Sequence, residues 1–318
     1  MSYTKIKLDS YQELNSDELK EIVQDLVNKV INDKTLSLAE ENFICGIMSI
    51  MRCVNNEPID IKTYTNCNNY YFRSKYLIYH NDLNGHKKIV DYNGEINFIT
   101  KQEDVNYLNQ TFRNWLTFMD ENKDIDNFMK YIYDENCFHL KALKKYCFKN
   151  NYGANYRIYL EKSITLHSKY IYLLVKEFFQ ELGNDEIIIN INNYNILINP
   201  FSYIHIMFRH FSGHIKEYQN KTYHFDEYIG FKNIPTILLE ILNLYKSNTI
   251  NTNFNGVSLY LRINTKPYSI YFRKIFNSNL NENVYRLQTF FPIGEIKELE
   301  KLSNLQIVRI SESIEIYV

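Results

Sequence analysis

Glycine and proline are scarce in this chain, with nine and five among 318 residues. Long low-complexity or linker-like stretches are therefore not expected. Cysteine is confined to Cys45, Cys53, Cys67, Cys137 and Cys147. No two of them form a CxxC pair, and an odd number leaves one thiol over in any disulfide scheme. Reduced thiols in a cytoplasmic protein are the expectation. No run approaches the roughly 18 consecutive apolar residues that a membrane-spanning helix needs. The opening MSYTKIKLDSYQELNSDEL is polar and carries no apolar signal core. An excess of charge of one sign is also missing: 36 Lys and Arg stand against 37 Asp and Glu, for a net −1. A global field that gathers nucleic acid is excluded, so any nucleic-acid site has to be local.

Aromatic residues are abundant instead, with 28 tyrosines and 20 phenylalanines. Plentiful Asn, Ile and Lys beside them point to A/T-rich coding, so the tyrosines alone do not argue for base stacking. A length of 318 residues makes two domains the prior, at about 100–200 residues each. The pattern supports an α+β protein. Residues 1–162 read as mainly helical: an amphipathic helix at 16–31, a second at about 36–52, and helix again over 102–149 with Trp115 and Phe118 as core candidates. Hairpins at 69–99 interrupt this, around Asn84-Gly85 and Asn93-Gly94. Residues 163–318 begin with a helix that Gly183 terminates at 182. A strand pair turns at Asn192-Asn193. Helices follow at about 201–219 and 233–246. Strands at 257–264, 268–275 and 284–291, a short helix at 294–302, and strands at 305–310 and 313–318 complete the chain. The short turns imply antiparallel pairing.

Four of the eight histidines fall in SYIHIMFRHFSGHIKEYQNKTYH, at His205, His210, His214 and His224. On a helix, Ile204, Met207, Phe208, Phe211, Ile215 and Tyr218 gather on one arc. His205, Arg209, Ser212 and Lys216 occupy the opposite arc, and His210 and His214 form an i,i+4 pair on the flank. Singly, each histidine is a surface residue of an amphipathic helix. Clustered, they suit proton transfer near neutral pH. An HxxxH metal reading lacks the glutamate of HExxH, since Phe211 stands there, and no carboxylate cluster completes a ligand set. No metal and no cofactor are expected.

The strands at 257–291 carry Arg262, Lys266, Arg273, Lys274 and Arg286 against one acid, Glu282. Val257, Leu259, Leu261 and Ile263 alternate with Ser258, Tyr260, Arg262 and Asn264. Ile270 and Phe272 alternate with Tyr271 and Arg273. One face is thus apolar and the other holds Tyr and Arg. That second face is either a solvated sheet surface or a platform on which Arg262 and Arg273 hold phosphate and Tyr271 stacks a base.

The order of HIMFRHFSGH, then FKNIPTILLEIL, a strand pair with spaced Tyr and Arg, and LQTFFP resembles the phage-associated nuclease domains of the barnase, EndoU, colicin and RelE-like group. The resemblance covers about residues 200–293 and rests on scattered positions. It implies a metal-independent, toxin-like endoribonuclease with His205 or His210 and Arg209 on the helix, Arg262 or Arg273 in the sheet, and Thr289 before Phe290-Phe291-Pro292. Phenylalanine replaces the tyrosine usual near that last motif. Arg209 to His214 also resembles the R-x4-H arrangement of HEPN ribonucleases, which are all-helical.

Cleavage without a metal needs a base for the 2′-hydroxyl, an acid for the leaving 5′-oxygen and cations for the phosphorane. His205, His210 and His214 are the candidates for proton transfer, and the sequence leaves their assignment open. The partners so implied are RNA, tRNA or mRNA, and a neutralising protein. The rival is a non-catalytic module that binds RNA or protein.

Overall fold

The computed structural model describes residues 3–4, 7–8, 10, 13–14, 16–31, 34, 40, 43, 98–212, 229, 233–247, 254, 256–278 and 280–318. The helix expected at 36–52, the hairpins over 69–97, and the end of the histidine segment, with His214 and His224, lie outside them. The described chain divides into two compact units. One is drawn from Met1–Ile171, the other from Tyr172–Ser212 and Asn233–Val318. The division falls inside a helix, Ala154–Leu182.

The first unit is helical where it is described. Helix α1 (Ser16–Ile31) buries Leu19, Ile22, Val23 and Leu26 at the spacing of one helical face. The helix read over 102–149 is two helices, α2 (Phe98–Asn122) and α3 (Asn127–Lys149). Residues 98 and 99, read as the end of a strand, open α2. Asp126 explains the break. Its side chain accepts a hydrogen bond from the Phe128 backbone N–H at 2.8 Å, which caps a new helix. Trp115 is buried and donates its indole N–H to the Ser168 hydroxyl at 2.8 Å. Phe118 is exposed, contrary to expectation. It stacks on the outer side of Trp115, with ring centroids 5.7 Å apart. Helix α4 (Ala154–Leu182) begins nine residues before the start read from sequence, and Gly183 ends it at φ 68°. No helix among the described residues is long and apolar enough to cross a membrane.

The second unit is a seven-stranded mixed sheet with helices. Strands β1 (Ile187–Ile191) and β2 (Tyr194–Ile198) form a hairpin. Its turn residues, Asn192 and Asn193, have φ of 47° and 66°, the left-handed values a two-residue turn demands. Helices α5 (Pro200–His210) and α6 (Ile234–Ser247) follow. Then come β3 (Ser258–Ile263), β4 (Lys266–Asn277), β5 (Glu282–Pro292), α7 (Ile296–Ser303), β6 (Ile307–Arg309) and β7 (Ile314–Tyr317). The strand order is β1-β2-β5-β4-β3-β7-β6. All pairs are antiparallel except β2 with β5, which is parallel. The pairing inferred from short turns therefore holds for β3, β4 and β5. It holds equally for β1 with β2 and β6 with β7, while β2 and β5 are joined by a long connection, which permits a parallel crossover.

One face of the sheet is the core. Leu259, Leu261, Ile270, Phe272, Leu287 and Phe290 are all buried. The alternation in β3 leaves Ser258, Tyr260 and Arg262 half-buried on the other face. Register carries that second face across the sheet: Ser258 lies opposite Tyr271, and Tyr271 opposite Thr289.

Candidate active site

Helix α5 starts where the sequence says a helix should. Asn199 accepts a hydrogen bond from the Ser202 backbone N–H at 3.4 Å, and Pro200 occupies the first turn. The helix ends at His210, with Phe211 as its C-cap, not at 219. Ser212 and Gly213, both poor helix formers, follow at once. The i,i+4 pairing of His210 with His214 on one helix does not arise within these bounds.

The single apolar arc is corrected too. Ile204, Met207, Phe208 and Phe211 are buried as expected, but so are Tyr203 and Ile206. The helix is enclosed on most sides, and His205 is only 9% exposed instead of facing away from the core. His205 stacks on Phe201, one turn earlier, with centroids 5.1 Å apart. Its ring also meets that of His210 edge-on, at 6.4 Å.

His210 reaches across to β5. Its Nε2 lies 2.6 Å from the Thr289 hydroxyl, and its ring stacks on Phe291 at 5.5 Å. Phe211, the next residue, stacks on Phe290 at 5.9 Å. Thr289 and Phe291 lie on one face of β5 and Phe290 on the other. The C-terminal end of α5 therefore straddles the strand, with the histidine on the polar face and the phenylalanine on the core face.

A β-bulge sets which side chains join that face. Thr289 pairs with Tyr271 while Leu287 pairs with Phe272, so Gln288 is the extra residue. Without it, Arg286 and Thr289, three residues apart, would point to opposite faces. With it, Arg286 pairs with Arg273 and shares the face of Thr289. The Arg286 guanidinium lies 3.7 Å from the centroid of the Phe201 ring, and its Nη2 donates to the Gln288 amide oxygen at 3.1 Å. Two like charges directly across a ladder repel. Arg273 and Arg286 are such a pair, and an anion between them would relieve it.

Tyr271 extends the strip away from the helix. It stacks on Phe291 at 6.0 Å, and its hydroxyl is 3.4 Å from that of Tyr260. Burial, then the hydrogen bond to Tyr260, push the Tyr271 phenol up to about 12. It stays protonated near neutrality and can donate a hydrogen bond to a phosphate oxygen.

Of the residues singled out in the sequence, His205, His210, Thr289 and Tyr271 come together. Arg273 is exposed on the same face. Arg209 sits half-buried in the last turn of α5, about 100° round the helix from His210. Arg262 is drawn elsewhere: its Nη2 and Nε lie 2.8 and 2.9 Å from the Glu315 carboxylate on β7. His214 lies outside the described residues. Phe201, Arg286 and Gln288 were missed as site residues. The i,i+4 spacing of Phe201 and His205 was a readable signal; the bulge that turns Arg286 was not. Among the described residues, no three His, Cys, Asp or Glu side chains gather as a metal site.

The chain matches no family model, no curated protein and no solved structure.

Proposed function

We propose that the second unit is a metal-independent endoribonuclease domain whose proton transfers run through His210. The observation that carries this reading is the 2.6 Å contact between His210 Nε2 and the Thr289 hydroxyl. It joins the end of a helix to the middle of a sheet face that also bears arginine and tyrosine. A titratable ring oriented by a hydroxyl beside paired cations is what strand cleavage by a 2′-hydroxyl requires.

The steps balance without a cofactor. A histidine takes the 2′-hydroxyl proton as the oxygen attacks phosphorus and the O2′–P bond forms. The P–O5′ bond breaks, and the leaving 5′-oxygen takes a proton from a second group. The products are a 2′,3′-cyclic phosphate and a 5′-hydroxyl. His210, the more exposed of the two rings, takes the 2′-hydroxyl proton, and water supplies the proton to the leaving 5′-oxygen. His205, buried behind it, positions the His210 ring by edge-on packing. Arg286 and Arg273 neutralise the phosphorane charge, the Tyr271 hydroxyl donates to one of its oxygens, and the Thr289 hydroxyl orients the His210 ring. Bases stack on the strip of Tyr271 and Phe291.

A second reading keeps the strip and drops the chemistry. Tyr260, Tyr271 and Phe291 form a continuous aromatic surface suited to holding RNA without cutting it. The HEPN arrangement rests on His214, which lies outside the described residues, and no observation favours it. The test is cleavage of total cellular RNA and of a defined oligoribonucleotide in EDTA. Wild type should yield 2′,3′-cyclic phosphate ends, and His210→Ala should cut about 10²–10⁴-fold more slowly with an unchanged circular dichroism spectrum. Equal rates for the two proteins remove His210 from the mechanism. Binding of RNA by a wild type that cuts none of it selects the binding module.

A further inference from the structure

The first unit holds a cationic hollow that the nuclease reading does not use. Residues 136–160 contain Lys141, Lys144, Lys145, Lys149 and Arg157 and no acidic residue, in a chain whose net charge is −1. Lys141, Lys144, Lys145 and Phe148 follow i, i+3, i+4, i+7 spacing, which places them on one face of α3 over about 10 Å. The turn after α3 and the first turn of α4 bring Tyr152 and Arg157 to the same place. Together these six side chains line a hollow of about 500 Å³, a size that accepts a nucleotide.

Two bland explanations fall short. Cations at the C-terminal end of a helix answer the helix dipole, but that effect fades beyond the last turn. It covers Lys149, the last residue of α3, and leaves Lys141 and Lys144 unexplained. Solvated surface lysines, in turn, do not account for the aromatic residues among them. Phe148 is 87% exposed in the midst of the lysines. Tyr152 is half exposed and packs between Tyr146 and Tyr156, at centroid distances of 5.6 and 4.7 Å. Among the described residues, Lys141, Lys144 and Lys145 have no carboxylate partner; Arg157 has Glu161 at 3.2 Å.

We propose that this hollow binds single-stranded RNA, with Lys141, Lys144 and Lys145 on consecutive phosphates and bases stacked on Phe148 and Tyr152. Cations in a row beside exposed aromatic faces are the recurring chemistry of single-strand binding. An acidic protein surface would use the lysines and leave Phe148 idle, and free phosphate would do the same. The inference does not depend on whether the second unit cleaves RNA.

The experiment uses the full chain and a fluorescent 2′-O-methylated oligoribonucleotide. Its blocked 2′-oxygen cannot be cut, so binding is read whether or not the protein is a nuclease. Anisotropy titrations are run from 50 to 200 mM salt. Changing Lys141, Lys144 and Lys145 together to Gln should weaken binding by more than tenfold. It should also lower the slope of log affinity against log salt by about 2, at roughly 0.7 per phosphate contact on a single strand. The matching Lys→Arg triple variant should bind like wild type. Phe148→Ala should weaken binding on the order of tenfold with the salt slope unchanged. Wild-type affinity and slope in the Lys→Gln variant, with its helix content intact, would overturn the proposal. So would a loss seen with the lysine changes but not with Phe148→Ala, since that describes a site for any polyanion.

Discussion

Arg262 and Arg286 each stand on a strand of the sheet that also carries a tyrosine, and they end in different chemistry. At the β3 edge of the polar face, Arg262 meets Glu315 on β7 and its charge is spent on a cross-strand ion pair. At the β5 side, Arg286 faces another arginine across the ladder and lies over the Phe201 ring. The first arrangement is electrostatically complete. The second sets two arginines opposite each other on the sheet face that holds Thr289, where an anion can meet both. What separates the two is the partner strand each arginine meets. A basic sheet therefore divides into a structural edge and a candidate anion site.

Two core deletions break or sharpen that contrast most strongly. Phe290→Ala and Leu261→Ala each remove a fully buried side chain, one beneath each region. Each should cost about 3–5 kcal/mol in urea unfolding. They should differ in cleavage per folded molecule. Phe290 holds Phe211 and so anchors the residue next to His210, whereas Leu261 lies under Arg262 and Tyr260. Loss of rate in the first variant and not in the second is the expected result. Equal rates would mean that the end of α5 needs no such anchor.

The arginines come next. Arg286→Ala should weaken RNA binding by about 10–100-fold, the range for loss of a charge-assisted hydrogen bond. Arg262→Ala should change it less than threefold and cost stability by about 0–1 kcal/mol, as a partly exposed ion pair does. A larger RNA effect at Arg262 than at Arg286 would reverse the assignment of the two edges.

The smallest effect is at high pH. The Tyr271 phenol is raised in the folded state above its ordinary value near 10, to about 12. The unfolded chain therefore loses that proton first as the pH rises. Stability from this group is full below about pH 10 and falls away between about 10 and 12. Tyr271→Phe should flatten the decline in that window, measured by urea midpoints at each pH. A decline as steep as that of wild type would place the titration elsewhere.

The sequence signals that proved readable were local ones. Period-2 alternation located β3, β4 and β5 within a few residues, and Asn192-Asn193 marked the β1–β2 turn. Thr289 and His210 were both visible as candidates, although 79 residues separate them. What stayed hidden depends on partners far along the chain. His205 reads as solvent-facing on a helical wheel, yet α5 is covered on most sides. The wheel also carried the helix past Ser212 and Gly213, where weak propensity stops it. The bulge at Gln288 exists only in the pairing of β5 with β4, so no spacing within β5 announces that Arg286 and Thr289 share a face. The parallel β2–β5 pair is hidden for the same reason, since turn length speaks only for neighbouring strands.

The central claim is that His210 and Thr289 act as one unit on RNA. A double-mutant cycle on cleavage in EDTA tests it directly, with His210→Ala, Thr289→Ala and the two combined. If the hydroxyl works through the ring it orients, the double variant is no slower than His210→Ala alone. Losses that multiply in the double variant would show that the two side chains act separately and would contradict the account.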